Sequence, residues 1–134
     1  MRFVDTSFWV AYRFRGDDHH ADAVRLWVDR SQPLVTTNHI VGETWTFLRR
    51  RAGHSEAVGF IDNVQASARL SIATVDEAAE ASAWEWLRRH DERAYSFVDA
   101  TSFAVMRRER ISEALAFDGD FTAAGFVELR PPPR

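Results

Sequence analysis

A single carboxylate lies inside the most apolar helix that the sequence predicts. Residues 96–106 (SFVDATSFAVM) indicate a buried helix, because apolar side chains cover most of its circumference. At about 100° per residue, Asp99 shares one face with Phe103 and Met106. An acid on an apolar face is costly unless a cation or hydrogen-bond donors satisfy it. Ser96 offers a local solution, since Ser-x-x-Asp can form a capping box. Asp99 is therefore either satisfied within its helix or part of a site.

Three more acids occur where a parallel α/β fold would collect them. Asp5 and Asp118 each follow a predicted strand, whereas Glu43, like Asp99, lies early in a predicted helix. Strand carboxyl ends and helix N-termini lie on the same side of such a sheet, so the four acids can meet at one edge. Each acid alone has a plain alternative: Asp5 as a helix N-cap, Glu43 as a solvated side chain, and Asp118 in an Asp-Gly turn.

A cluster of four carboxylates is unfavourable without a cation, because like charges raise one another's pKa. A bound Mg²⁺ or Mn²⁺ reverses that penalty, and oxygen ligands without His or Cys suit such hard cations. The ion could lower the pKa of a bound water and neutralise charge that develops on a phosphodiester. The acids therefore point to metal-assisted hydrolysis, with one or two ions.

Strand and helix patterns alternate along the chain, which predicts an α/β fold with a mostly parallel sheet. No repeat or linker interrupts the pattern, so we expect a single domain spanning residues 1–134. The predicted strands are 2–4, 34–36, 70–75, 114–117 and 125–129; the predicted helices begin near Phe8 and then cover 19–30, 38–51, 54–68, 76–89 and 96–106.

Composition excludes several classes of protein. The chain has no cysteine, which rules out a disulfide scaffold, a Cys-ligated metal site and thiol catalysis. Its net charge of −3 argues against a nonspecific nucleic-acid coat but not against a nuclease with a local basic rim. All basic residues other than His are arginine, so a receiver-like phosphorylation domain lacks the lysine it needs. With no apolar run of spanning length and no signal-peptide pattern, we expect a cytoplasmic protein that does not enter a membrane.

Four short motifs resemble the acidic motifs of PIN-domain ribonucleases. They are FVDTS at 3–7, GET at 42–44, FVDATS at 97–102 and AFDGDF at 116–121. Their order and spacing over essentially the whole chain are more closely similar to VapC-type toxins of bacterial toxin–antitoxin pairs. The fourth motif departs slightly from the family pattern, since many members have Thr where this chain has Phe117.

The resemblance implies a PIN-like fold, with about five mostly parallel strands flanked by helices, and an Mg²⁺-dependent endoribonuclease, with Mn²⁺ as a possible substitute. It implies Asp5 and Asp99 as the principal metal ligands, with Glu43 and Asp118 completing the catalytic site and Asp120 as an alternative to Asp118. The substrate would be structured RNA, either transfer RNA or the sarcin–ricin loop of large-subunit ribosomal RNA. Hydrolysis would inhibit translation and leave 5′-phosphate and 3′-hydroxyl ends.

The same resemblance implies that Thr6 and Ser7 would hold the acids by hydrogen bonding. Two other clusters are interpreted from their residues alone. The run Arg49-Arg50-Arg51 either complements the dipole of its helix or lines an RNA path. The adjacent pair His19-His20 is poorly placed to chelate a metal and is expected at the surface near a helix start.

The family implies a homodimer that a cognate antitoxin neutralises. Aromatic side chains near the N-terminus either form an apolar surface for that antitoxin or pack in the core, and core packing is expected for at least two of Phe8, Trp9, Tyr12 and Phe14. A noncatalytic PIN-like module that binds RNA or protein through the same cleft is the alternative to the nuclease.

Overall fold

The computed structural model describes all 134 residues and consists of five strands and seven helices. The strands are β1 (Arg2–Val4), β2 (Leu34–Thr37), β3 (Leu70–Ala73), β4 (Glu113–Leu115) and β5 (Val127–Glu128). The helices are α1 (Thr6–Arg13), α2 (His20–Val28), α3 (Asn38–Ala52), α4 (His54–Ala66), α5 (Glu77–Arg89), α6 (Phe97–Arg108) and α7 (Asp120–Ala123). The predicted α/β class is confirmed.

All strand pairs are parallel, and the order across the sheet is β3-β2-β1-β4-β5. The first strand is therefore the central one, with Phe3 opposite Val35 on one side and Ala114 on the other. Helices on both faces of a parallel sheet explain why β1 and β2 carry buried side chains without polar alternation. The predicted sheet of about five parallel strands is confirmed.

The structure differs from the prediction in two ways near the fourth motif. β4 ends at Leu115, so Asp118 lies three residues beyond the strand and not directly after it. A short helix, α7, follows Gly119, whose φ of 85° is the left-handed conformation that glycine adopts without strain. This extra turn was not predicted, because four residues are too few to show a helical period.

The aromatic side chains of α1 belong mainly to the core. Phe8 and Trp9 are fully buried, and Trp9 packs edge-on against Phe60 of α4. Tyr12 and Phe14 are half-buried and pack against the same core. The expectation of core packing for at least two of the four is confirmed, and only Tyr12 and Phe14 retain surface for a partner. No helix combines the length and apolar character needed to cross a membrane.

Candidate active site

The predicted acids line one cleft beyond the carboxyl ends of the central strands. Its volume is about 310 Å³, and its walls include Asp5, Glu43, Asp99 and Asp118. These residues come from the β1–α1 junction, from α3, from the start of α6 and from the β4–α7 loop. The structure thus brings together the four acids that the sequence placed at one sheet edge.

Asp5 is the most deeply buried of the acids, with 2% of its surface exposed. It is the N-cap of α1: its Oδ2 accepts hydrogen bonds from the backbone N of Ser7 at 3.1 Å and from Ser7 Oγ at 2.7 Å. Its Oδ1 accepts no hydrogen bond within the protein. Burial, followed by the negative charge of Asp118, raises the pKa of Asp5 to about 8. The N-cap alternative is therefore correct, but it satisfies only one of the two carboxylate oxygens.

Asp99 likewise both caps its helix and lines the cleft. The backbone N of Ser96 donates to Asp99 Oδ2 at 2.9 Å, and the backbone N of Asp99 donates to Ser96 Oγ at 2.9 Å, which completes a capping box. The local explanation is thus confirmed. The same carboxylate lines the cleft, and desolvation is the main cause that raises its pKa to about 6.

The two acids of the fourth motif have different environments. The carboxylate oxygens of Asp99, Asp118 and Asp120 lie within 4.8 Å of one another. Asp118 lines the cleft, and desolvation together with the charge of Asp120 raises its pKa. Asp120 instead accepts a hydrogen bond from Arg93 Nε at 2.9 Å, an ion pair outside the cleft lining. This pairing favours Asp118 as the acid that faces a bound group.

Hydroxyl groups tie the acids to neighbouring elements. Thr6 Oγ1 donates to Glu43 Oε1 at 2.6 Å, and Thr44 Oγ1 donates to Thr6 Oγ1 at 3.1 Å. Ser7 Oγ, besides donating to Asp5, accepts from the backbone N of Phe117 at 3.0 Å. The hydrogen bonds expected of Thr6 and Ser7 are therefore present, and they link α1 to α3 and to the end of β4.

The donor set fits a divalent cation. Asp5, Asp99 and Asp118 each have a carboxylate oxygen without a hydrogen-bond partner, and none of the three forms an ion pair with a basic side chain. Desolvation is the largest cause that raises the pKa of each carboxyl, and no basic side chain offsets it. A hard cation with oxygen ligands supplies the missing positive charge.

The arginine run lies at the rim of this cleft. Arg50 and Arg51 line an adjacent cavity of about 560 Å³, which shares Glu43 and Phe47 with the acidic cleft. The Arg51 guanidinium lies 5.5 Å from the centre of the Phe47 ring. Arg49 is exposed and lines neither cavity. All three lie in the last turn of α3, as the helix-dipole explanation requires.

Two residues of the cleft wall, Asp17 and His19, were not predicted as site residues. The pair His19-His20 was expected at the surface near a helix start; it does lie at the start of α2, but both side chains are half-buried. His20 Nδ1 donates to the carbonyl of Ala11 at 2.8 Å, whereas His19 stacks on Phe117. The adjacency of the two histidines was the only signal in the sequence. Their position in the cleft wall depends on a long-range contact, the stacking of His19 on Phe117 in the β4–α7 loop.

Comparison with known proteins places this chain in a family. A model described as PIN domain matches residues 2–127, and the chain belongs to the PIN domain family. It is 56% identical over 131 residues to the 23S rRNA-specific endonuclease VapC20 of Mycobacterium tuberculosis. That alignment covers 98% of this chain and 99% of the relative. It is 27% identical over 124 residues to a VapC ribonuclease of Archaeoglobus fulgidus, which covers 89% of this chain and 78% of the relative.

The same similarity holds in three dimensions. The crystal structure of Mycobacterium tuberculosis VapC20, described as a sarcin–ricin loop cleaving toxin, matches with a TM-score of 0.93 and 55% identity. The match covers 98% of this chain and all of the other. The predicted family and the predicted PIN-like fold are confirmed. That residues 1–134 act as one domain stays a prediction.

Proposed function

We propose that this chain is a metal-dependent endoribonuclease that cleaves the sarcin–ricin loop of 23S ribosomal RNA and thereby stops translation. The observation that carries the proposal is the cleft in which Asp5, Asp99 and Asp118 converge without a basic partner. Two relatives named as RNA-cleaving enzymes, one of them 56% identical over nearly the whole chain, support it. The sarcin–ricin loop is favoured over transfer RNA because the VapC20 toxin with the matching crystal structure is described as cleaving that loop.

Asp5 and Asp99 would hold the cation, with Glu43 and Asp118 completing the catalytic site. Mg²⁺ is the ion we propose, with Mn²⁺ able to replace it, because the donors are carboxylate oxygens alone. The bound ion would lower the pKa of a coordinated water and offset charge developing on the phosphodiester. Asp120 stays with Arg93 in this proposal and helps to place the loop of the fourth motif.

The hydrogen-bonded hydroxyls keep the acids in fixed positions before RNA binds. Ser7 holds Asp5 and the backbone of Phe117 through one oxygen, so it fixes the distance between β1 and the β4–α7 loop. Thr6 fixes Glu43 in the same way from α1. A preorganised set of charges costs no rearrangement when the reaction begins, which is the general reason that such sites are effective.

The rim of the cleft is proposed to guide the RNA backbone. Arg50 and Arg51 lie on the cavity adjoining Glu43, where guanidinium groups can contact phosphates on either side of the cleaved bond. Arg49 is exposed but lines neither cavity, so it would contribute only long-range attraction. The net charge of the whole chain, −3, limits nonspecific binding, so local cations matter more.

The family suggests the remaining partners. We propose that the protein acts in the cytoplasm as a homodimer and that a cognate antitoxin neutralises it. Tyr12 and Phe14 keep part of their surface open to such a partner. An antitoxin arginine reaching Asp5 or Asp118 would supply the missing positive charge and displace the cation. Copurification with the neighbouring gene product tests this pairing, and a failure to form a complex would contradict it.

The deciding experiment is cleavage of intact ribosomes, 23S RNA and total transfer RNA by purified protein with Mg²⁺, with Mn²⁺ and with EDTA. Asp5→Ala is the inactive variant, and Asp29→Ala, a surface acid on the loop after α2, is the matched control. We expect one discrete 23S fragment that needs both the metal and Asp5, with its new end inside the sarcin–ricin loop. Cleavage confined to transfer RNA would overturn the proposed target. No cleavage of any RNA by folded protein would favour the noncatalytic binding module.

A further inference from the structure

We propose that His19 is a substrate-binding residue whose imidazole donates a hydrogen bond to a phosphate oxygen of the RNA strand in the acidic cleft. The inference rests on the proposed function and adds to it a contact that the acids cannot make. Four carboxylates repel a polyanionic strand, so a donor on the same wall would help to hold the backbone there. His19 lies on that wall together with Asp5, Asp99 and Asp118.

The ring of His19 is held in one plane by stacking. Its centre lies 4.6 Å from that of the Phe117 ring, and the two planes differ by 4°. Phe117 is itself stacked on Phe8 at 6.1 Å and 15°, and Phe8 on Tyr12 at 6.2 Å and 4°. These offset, nearly parallel rings run from the core to the cleft. Many family members have Thr at the position of Phe117. A threonine has no ring and could not form this stack with His19 and Phe8.

The backbone around His19 is fixed as well. Asp17 Oδ1 accepts a hydrogen bond from the backbone N of His19 at 2.8 Å, and the carbonyl of Asp17 accepts from the backbone N of His20 at 3.0 Å. The His20 side chain anchors the same turn to the Ala11 carbonyl. The turn therefore presents one imidazole to the cleft and uses the other for its own stability.

The nitrogens of His19 have no partner in the protein, although those of His20 and His90 do. A half-buried ring with a fixed plane and free edge nitrogens is suited to binding at its edge. A phosphate oxygen is the acceptor that the proposed reaction brings into this cleft, and hydrogen bonds to charged acceptors are stronger than those to neutral ones. Stacking of an RNA base on the open face is the competing explanation.

The test is RNA binding in the Asp99→Asn background, in which the hairpin should remain intact. The probe is a synthetic RNA hairpin with the sarcin–ricin sequence, in buffer with Mg²⁺, and the readout is the dissociation constant. We expect His19→Ala to weaken binding about tenfold, as the loss of one charge-assisted hydrogen bond would. His19→Gln keeps a donor without the ring and should stay within about threefold of the parent.

Two further variants separate the alternatives. His19→Phe keeps a ring without a donor and should bind as weakly as His19→Ala. The control is His54→Ala, which removes an exposed imidazole that contacts Trp45 edge-on outside the cleft, and should leave binding unchanged. Melting temperatures of all variants report whether the stack affects only stability.

The outcomes are distinguishable. Unchanged binding by folded His19→Ala, while the parent binds the hairpin, overturns the role of His19 and leaves the proposed function intact. Retained binding by His19→Phe, with loss in His19→Gln, replaces the phosphate contact by base stacking and overturns the proposal. A parent that binds no RNA contradicts the proposed function and the inference together.

Discussion

Replacing Asp5 by Asn should stabilise the metal-free protein while abolishing cleavage. The folded-state pKa of Asp5 is raised from 3.8 to about 8, mainly by burial. The folded protein therefore retains a proton that the unfolded chain releases above its ordinary pKa. The free energy of unfolding contributed by this group falls as the pH rises from about 4 to about 8, and above that range the loss is complete.

The size of the effect follows from the pKa. One pKa unit corresponds to 1.36 kcal/mol, so the displacement of the Asp5 pKa from 3.8 to about 8 sets an upper bound of about 6 kcal/mol above pH 8. Asparagine carries no charge at any pH, and its Oδ1 can accept both hydrogen bonds that Ser7 donates to Asp5. Allowing for relaxation around the charge, we expect Asp5→Asn to gain about 2 kcal/mol or more at high pH, roughly 6 °C in melting temperature.

Urea unfolding in EDTA at several values between about pH 5 and pH 9 measures this difference. The gap between Asp5→Asn and the wild type should widen steadily with pH. Asp29→Asn is the opposite control. Hydrogen bonds from Arg2 and Ser31 lower the pKa of exposed Asp29 to about 2, so removing this charge should not raise the free energy of unfolding. A gap that is constant across the range, or a variant less stable than wild type at pH 9, would refute the reasoning.

Three further results are expected. Asp118→Asn should reduce cleavage at least a hundredfold and Asp120→Asn less than tenfold, in single-turnover assays, because Asp120 is paired with Arg93; equal losses would contradict this assignment. Mg²⁺ should raise the melting temperature of the wild type at pH 8 by several degrees and leave that of Asp99→Asn nearly unchanged, which calorimetry can check. Arg51→Ala should weaken RNA binding and lower the slope of log K against log salt by about one, measured by a salt titration.

Much of this fold was predictable because its signals are local. The strand starting at Arg2 and the helix containing Asp99 have strong apolar patterns, and the acids that follow strands or begin helices can be placed at one sheet edge by topology alone. The short α7 and the early end of β4 were not predictable. α7 follows a left-handed Gly119, and its four residues are too few to show a helical period. Four motifs read together identified the family, whereas each acid alone had an ordinary explanation.

The contributions that sequence reasoning missed are contacts between distant segments. Arg93 reaches Asp120 across 27 positions, and His19 stacks on a ring 98 positions away, at Phe117. Neither pairing follows from helical or strand periodicity. The first favours Asp118 over Asp120 as the acid that faces a bound group. The second places an imidazole in a cleft whose other polar groups are carboxylates and hydroxyls.

The local and functional explanations of the acids turn out to be compatible, because a carboxylate has two oxygens. In Asp5, Asp99 and Asp118, one oxygen accepts a backbone N–H at the start of a helix, from Ser7, Ser96 and Asp120 respectively. The second oxygen of each has no protein partner. These bonds fix the direction of each side chain, as part of a helix cap in Asp5 and Asp99 and as a turn ahead of α7 in Asp118. Hydrogen bonds at helix starts are therefore the means by which this fold positions its proposed metal ligands, and the unmet charge is the energetic reason for binding a cation.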